Sequence, residues 1–206
     1  MKRLFLIFIC IPGVWFCTFA QNSIGHGHIG LYTMTVGEIK LTVITDGHLP
    51  VNPVQAEFAQ RIDSTKVAKT LENHFSSPVE VDLAMNVLLL EWGDKRVLID
   101  TGAGGIFGND SGHLGENLAY AGLSPKDVTD VVLSHAHPDH IGGLTDKRSG
   151  ELLYPNADVW ISKEECTFWL SDIPDFSKST MTDKTHMQML VQVARRNINA
   201  AKNRLR

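Results

Sequence analysis

The chain predicts an α/β fold, with the sheet inside and the helices outside, and three observations carry that prediction. The first part consists of β-branched and apolar runs that come in pairs around glycine-containing turns. The middle part alternates apolar runs with helical patterns. The last segment keeps one apolar stripe at helical spacing over some twenty residues. Hairpins first, then strands interleaved with helices, is the order expected when helices must cover a sheet.

Each element has its own signal. Leu31 to Val36 and Ile39 to Thr45 flank Gly37-Glu38, a hairpin pattern, and the second run ends in Asp46-Gly47-His48. Val67, Leu71 and Phe75 are four apart and predict a helix from Ser64 to Phe75 with one buried stripe. Val87 to Leu90 and Arg96 to Ile99 predict a second hairpin through Gly93-Asp94-Lys95. His113 to Ala121 is a helix closed by Gly122, and Ser124-Pro125 caps a short helical turn. Val128 to Ser134 is an apolar strand, and Val159 to Ser162 another. Lys163 to Leu170 is a short helix containing Cys166, which has no basic neighbour in sequence and is expected to be a buried, inert thiol. Asp172 to Asp183 is polar and irregular. In Lys184 to Arg206, Met187, Leu190, Val191, Ala194, Ile198, Ala201 and Leu205 form the stripe. Arg195, Arg196, Lys202, Arg204 and Arg206 lie opposite, as a solvated outer face.

With 206 residues, 43% of them hydrophobic, the chain is long enough for one domain with a substantial core. Its net charge of -4 gives no electrostatic footprint for nucleic acid. Residues 1–20 form a separate unit: Lys2 and Arg3, an apolar stretch from Leu4 to Phe16, then Thr18-Phe19-Ala20 with small residues where a signal peptidase cuts. The expectation is a signal peptide cleaved before Gln21, a secreted or periplasmic domain over residues 21–206, and no membrane anchor after cleavage. Cys10 and Cys17 would leave with the leader, so Cys166 alone remains and no intrachain disulfide can form.

The chemistry concentrates in His135-Ala136-His137-Pro138-Asp139-His140. Residues two apart in an extended segment point the same way, so His135 and His137 can converge on one cation. Pro138 then bends the chain and brings Asp139 and His140 to the same spot from the other side. Gly142 and Gly143 follow, suited to backbone that passes close to a site. Nitrogen and oxygen donors in this mix suit zinc, with iron, manganese and cobalt as other candidates.

His135-x-His137-x-Asp139-His140 resembles the metal-binding signature of the metallo-β-lactamase superfamily. Val97-Leu98-Ile99-Asp100-Thr101-Gly102 resembles that family's strand ending in Asp-Thr-Gly. Asp100 to Gly108 and Pro155 to Trp160 are similar to a secreted branch that includes methyl parathion hydrolase and related lactonases and arylesterases. The resemblance runs from about Ile39 to the last residue. It implies the αβ/βα sandwich, of which this chain would be the N-terminal portion.

It also implies a two-zinc hydrolase acting through a metal-bound hydroxide on a small-molecule ester, lactone or phosphotriester. His135 and His137 would hold the first ion, and Asp139 and His140 the second. Asp139 would also pass a proton to the leaving group. Asp100 would orient the ligands from behind, as buried carboxylates at strand ends need bonding partners. Phe107 and Trp169 would line the substrate pocket; His48, following Asp46-Gly47 at a strand end, is expected at the site mouth on its position alone. The family's remaining ligands come from later in the chain, and His186, the sole histidine after His140, lacks the surrounding glycines of that ligand loop. His186 is expected on the surface, and the domain is expected to be C-terminally truncated. The alternative it leaves open is an inactive fragment that binds metal weakly or not at all.

Overall fold

The computed structural model describes residues 30–206; the expected leader and cleavage site, with Cys10 and Cys17, lie outside the described residues. A six-stranded sheet runs in chain order. Its strands are β1 (Leu31–Val36), β2 (Ile39–Val51), β3 (Val81–Trp92), β4 (Lys95–Ile99), β5 (Asp130–Val132) and β6 (Asp158–Trp160). The first four are antiparallel neighbours, while β5 and β6 join in parallel. Antiparallel pairs can be closed by a tight turn, as β1–β2 and β3–β4 are, while parallel ones need a crossover; β2 and β3 are antiparallel too but are joined through two helices, Val54–Phe58 and Ser64–Asn73.

Among the described residues six α-helices accompany the sheet: α1 (Val54–Phe58), α2 (Ser64–Asn73), α3 (Leu114–Tyr120), α4 (Pro138–Ile141), α5 (Lys163–Leu170) and α6 (Lys184–Ala201). One sheet face, through Ile44, Val87, Leu89, Leu98, Val131 and Val159, packs with Leu114, Leu118, Leu190, Ala194 and Ile198 in a single core. The opposite face has a cross-strand row of Val43, Leu88, Ile99, Val132 and Trp160, half-buried to exposed. Among the described residues, then, α3, α5 and α6 cover one face of a single mixed sheet. No helix there is long and apolar enough to cross a membrane.

Several expectations need correcting. The helix at Ser64 stops at Asn73, and Phe75 turns into a left-handed conformation (φ 59°) and is exposed instead of completing a buried stripe. Val67 and Leu71 are only half-buried, because α2 sits at the periphery. Strand β2 does not end at Thr45. It carries a bulge between Thr45 and Gly47 and continues to Val51 beside an extended β3. The outer face of α6 is not merely solvated. Arg195 donates to the Trp169, Ser171 and Asp172 carbonyls, and the tail beyond the helix ties Arg204 to Pro155 O and Arg206 to Asp158. Leu205 forms a bridge with Val159 on β6 instead of extending the helical stripe.

Candidate metal centre

Strand β5 leads directly into the motif. After Leu133 the chain bends at Ser134, and His137 (φ -70°, ψ 154°) is the N-cap of α4, with Pro138 in the first turn. The expected bend is thus a helix start, where proline's fixed φ and missing N–H cost nothing. This turn gathers the three imidazoles: the His135 ring centre is 4.6 Å from that of His137 and 3.9 Å from that of His140.

The two ring nitrogens of His140 meet two carboxylates. Nδ1 donates to Asp100 Oδ2 at 2.8 Å, and Nε2 lies 3.2 Å from Asp139 Oδ2. Asp100 also accepts from the Ser134 backbone N–H at 2.7 Å and from Ser134 Oγ at 2.9 Å. Its own backbone is in the left-handed region (φ 64°), uncommon for a residue with a side chain and characteristic of sites held by their surroundings. The neighbouring Thr101 donates its N–H and its hydroxyl to His140 O at 2.7 and 2.9 Å, locking the end of β4 onto α4. The glycine reading holds here as a matter of space. A Cβ on Gly143 would stand 2.0 Å from Thr101 O, and one on Gly142 2.4 Å from Ala103 O.

Electrostatics divides the motif. Burial lowers the pKa of His135 and His137, and for His135 the neighbouring imidazoles push the same way, which favours the neutral form a metal requires. Burial acts in the same direction on His140, but the Asp100 and Asp139 carboxylates outweigh it and push His140 up to about 9. Burial would raise Asp139 and Asp100, yet bonding to His140 and, for Asp100, to Ser134 holds both below the usual carboxylate range.

The donor chemistry fits an ion in one specific respect. Two donors about 2.0–2.1 Å from a tetrahedral zinc are separated by roughly 3.3 Å, and His140 Nε2 and Asp139 Oδ2 are separated by 3.2 Å. With Nδ1 engaged by Asp100, Nε2, which here contacts Asp139, would be the nitrogen offered to an ion, as in a carboxylate–histidine–metal arrangement. Even so, among the described residues no group of three or more such side chains converges closely enough to hold a cation alone.

A cavity of about 260 Å³ opens beside Asp139 and His140, with Leu49, Leu83, Met85 and Val87 as apolar wall and Asn86 as a polar one. None of the three expected pocket residues lines it. The β2 bulge shifts the alternation by one, which puts Leu49 toward the cavity and turns His48 away to pair with Asp82 at 2.8 Å. Trp169 is 3% exposed and packs edge-on against His137 at 5.8 Å, behind the motif. Phe107 is half-buried in the turn after Gly105. Cys166 is half-buried, and burial together with Glu165 pushes its thiol up, away from reactivity.

Three further residues stand near the site without having been expected there. Ser134 joins Asp100 to the imidazoles. Asp46, 1% exposed, accepts from the N–H groups of Ala103, Gly112 and Leu114 at 2.8, 3.1 and 3.0 Å, fastening the segment after Asp100. A carboxylate ending a β-branched run was its signal, the same one that singled out Asp100. Glu165 accepts from Ala136 N–H at 2.8 Å, and its sequence signal points elsewhere.

The Metallo-beta-lactamase superfamily profile matches residues 82–146, which include β4, the motif and α4. Metallo-beta-lactamase domain-containing protein 1 of Mus musculus is 32% identical over 146 residues, 68% of this chain and 51% of the mouse protein. The chain therefore spans about half the length of that relative. Among solved structures, it superposes on AidC, a dizinc quorum-quenching lactonase in complex with the product N-hexnoyl-L-homoserine, with a TM-score of 0.79 and 35% identity over 86% of this chain and 60% of that one. The hydrolase AbOPH of the beta lactamase superfamily gives 0.72 and 28%, over 85% of this chain and 60% of its own. With the profile falling on the strand, turn and ligands just described, and with two neighbours sharing the architecture around them, the chain belongs to the metallo-beta-lactamase superfamily.

Proposed function

We propose that this chain carries the ligand-bearing part of a metal-dependent hydrolase for a small-molecule ester, lactone or phosphotriester. The observation that carries this reading is His140 held between Asp100 and Asp139, with its Nε2 and the Asp139 carboxylate at the spacing of two donors to one ion. His135 and His137 would hold one zinc ion, and Asp139 and His140 a second. Bound ions supply a water of lowered proton affinity and a Lewis acid for a carbonyl or phosphoryl oxygen. Asp139, exposed enough to reach a substrate, holds a carboxylate where a leaving group's proton is transferred. Asp100 orients His140 and reaches His135 through Ser134.

The similarity to a dizinc lactonase supports the lactone end of the substrate range, and the apolar wall of Leu49, Leu83 and Met85 suits an acyl or aryl substituent. The secreted methyl parathion hydrolase-like branch is the finer reading, supported by the Asp100 to Gly108 and Pro155 to Trp160 segments. Export with cleavage between Ala20 and Gln21 belongs with it and rests on the sequence of residues 1–20; Gln21 as the first residue of the protein from its native host tests it.

A second reading, a chain that binds metal weakly and hydrolyses nothing, draws on the two donors that each pair presents among the described residues. One experiment separates the two. Metal content after dialysis, with hydrolysis of an aryl ester, an N-acyl homoserine lactone and a phosphotriester, is measured for the parent and for His135→Ala/His137→Ala. Retained zinc and turnover that the double variant loses support the hydrolase; unchanged zinc content in the variant removes these histidines from the site.

A further inference from the structure

Helix α5 begins Ser162-Lys163-Glu164-Glu165, a capping-box sequence in which the fourth residue ordinarily turns back to the N–H of the first. Half of that box forms: Ser162 Oγ accepts from Glu165 N at 3.1 Å. The Glu165 carboxylate, however, leaves its own helix. Its Oε2 accepts from the N–H of Ala136 at 2.8 Å and from Trp169 Nε1 at 2.7 Å, so one oxygen joins the backbone of the metal loop to a buried indole. Ala136 is the residue between His135 and His137, it is fully buried, and the Trp169 ring meets His137 edge-on at 5.8 Å. Phe168 and Phe176 brace the indole with ring centres at 4.9 and 6.2 Å from it.

We infer that Glu165 is the positioning residue for the first ligand pair: its carboxylate fixes the backbone between His135 and His137 and the indole against His137, and so sets how the two imidazoles present themselves to a cation. This rests on the metal-binding reading above. It assigns to α5 the part that Asp100 plays for His140, but through a main-chain amide and an aromatic wall instead of a bond to the imidazole itself. The physical basis is that a ligand ring on an extended segment is free to swing about χ1 and with its backbone, and fastening the intervening N–H and one ring edge removes both freedoms before the ion arrives.

The test compares the full chain with Glu165→Ala, Glu165→Gln and Glu165→Asp. Cobalt(II) is the probe, because its visible bands report coordination geometry. Glu165→Ala should bind cobalt roughly 10- to 100-fold more weakly, the loss typical when the partner behind a ligand is removed, with altered bands. Glu165→Gln keeps an acceptor at the same reach and should stay close to the parent. Glu165→Asp keeps the charge but is too short to span both donors, so it should fall with alanine; it also stands in if Glu165→Ala loses its thermal transition. In the metal-free proteins, hydrogen exchange at Ala136 should accelerate in the alanine and aspartate variants while Leu98 in β4 stays protected. Unchanged cobalt affinity and bands in the alanine and aspartate variants overturn the inference. So does glutamine behaving as alanine, which would make charge and not placement the active property. A parent chain that takes up no cobalt overturns the metal reading instead, and exchange at Ala136 still decides whether Glu165 holds the loop.

Discussion

Asp46 and Asp100 are two carboxylates at comparable places, each following a β-branched or apolar run in the sheet, yet the tertiary structure uses them in opposite ways. Asp46 is buried inside the β2 bulge and is met only by main-chain donors from Ala103, Gly112 and Leu114. Burial raises its pKa despite those bonds. Asp100 lies at the rim, is met by Ser134 and the His140 imidazole, and is held below the ordinary range. Fixed amides make a structural hub, because they cannot leave or change charge. An imidazole partner makes a functional one, because it can trade a proton for a metal.

The largest expected effect of breaking this comparison is on the Asp46 side. Asp46→Ala bares three N–H groups, each costing about 1–3 kcal/mol when buried and unpaired, so a loss of roughly 4 kcal/mol or more is expected in denaturant unfolding. A loss below about 1 kcal/mol would mean water replaces the carboxylate, and Asp46 is no hub.

Gly102 comes next. A Cβ there would stand 2.3 Å from Asp46 Cγ, and its φ is +68°. Gly102→Ala should cost about 1–3 kcal/mol through this crowding and the left-handed backbone. A neutral result would show that Asp46 and the Asp100 turn are not pressed together.

Asp100→Asn should behave differently, with a modest stability change but roughly 10- to 100-fold weaker retention of the second ion, read from zinc content after graded chelation. Equal retention would place Asp100 with Asp46 as a purely structural group.

The pH dependences should then have opposite signs. The stability linked to the raised Asp46 pKa is complete below the ordinary value of 3.8 and is lost as pH rises through the raised one. That linked to the depressed Asp100 pKa is present above 3.8 and is lost as pH falls. In melts between about pH 3 and 6, the gap between parent and Asp46→Asn should narrow as pH rises, and the gap to Asp100→Asn should widen. Gaps that move together would remove the distinction.

The smallest effect belongs to His48. Its pair with Asp82 is exposed and its side chain faces away from the cavity, so His48→Ala should change stability by less than about 0.5 kcal/mol and leave metal content intact. A marked loss of metal would return His48 to the site.

Much of this molecule was legible in one dimension. The hairpins, the strand before the motif, α5 and the stripe of α6 follow from local periodicity. The four candidate donors follow from a spacing that an extended segment and a proline-started turn turn into proximity. Asp100 was legible because a charge ending an apolar run needs a partner. Of the expected pocket residues, His48 lies just past the β2 bulge, and one inserted residue there shifts the register by one, for which the sequence pattern has no mark; the places of Phe107 and Trp169 depend on loop and helix packing away from β2.

The sequence by itself determined the α/β class, the hairpin order and the spacing of the candidate donors, because these depend on contacts between near neighbours in the chain. Only the tertiary structure decided which partner each donor has. It brought Asp100 to His140 from 40 residues away and Glu165 to Ala136 from 29, and it turned Asp46 under the segment that follows Asp100. The physical reason is that a carboxylate's strongest obligation is to whichever donors it is buried with, and burial is set by packing across the whole sheet, not by the residues beside it.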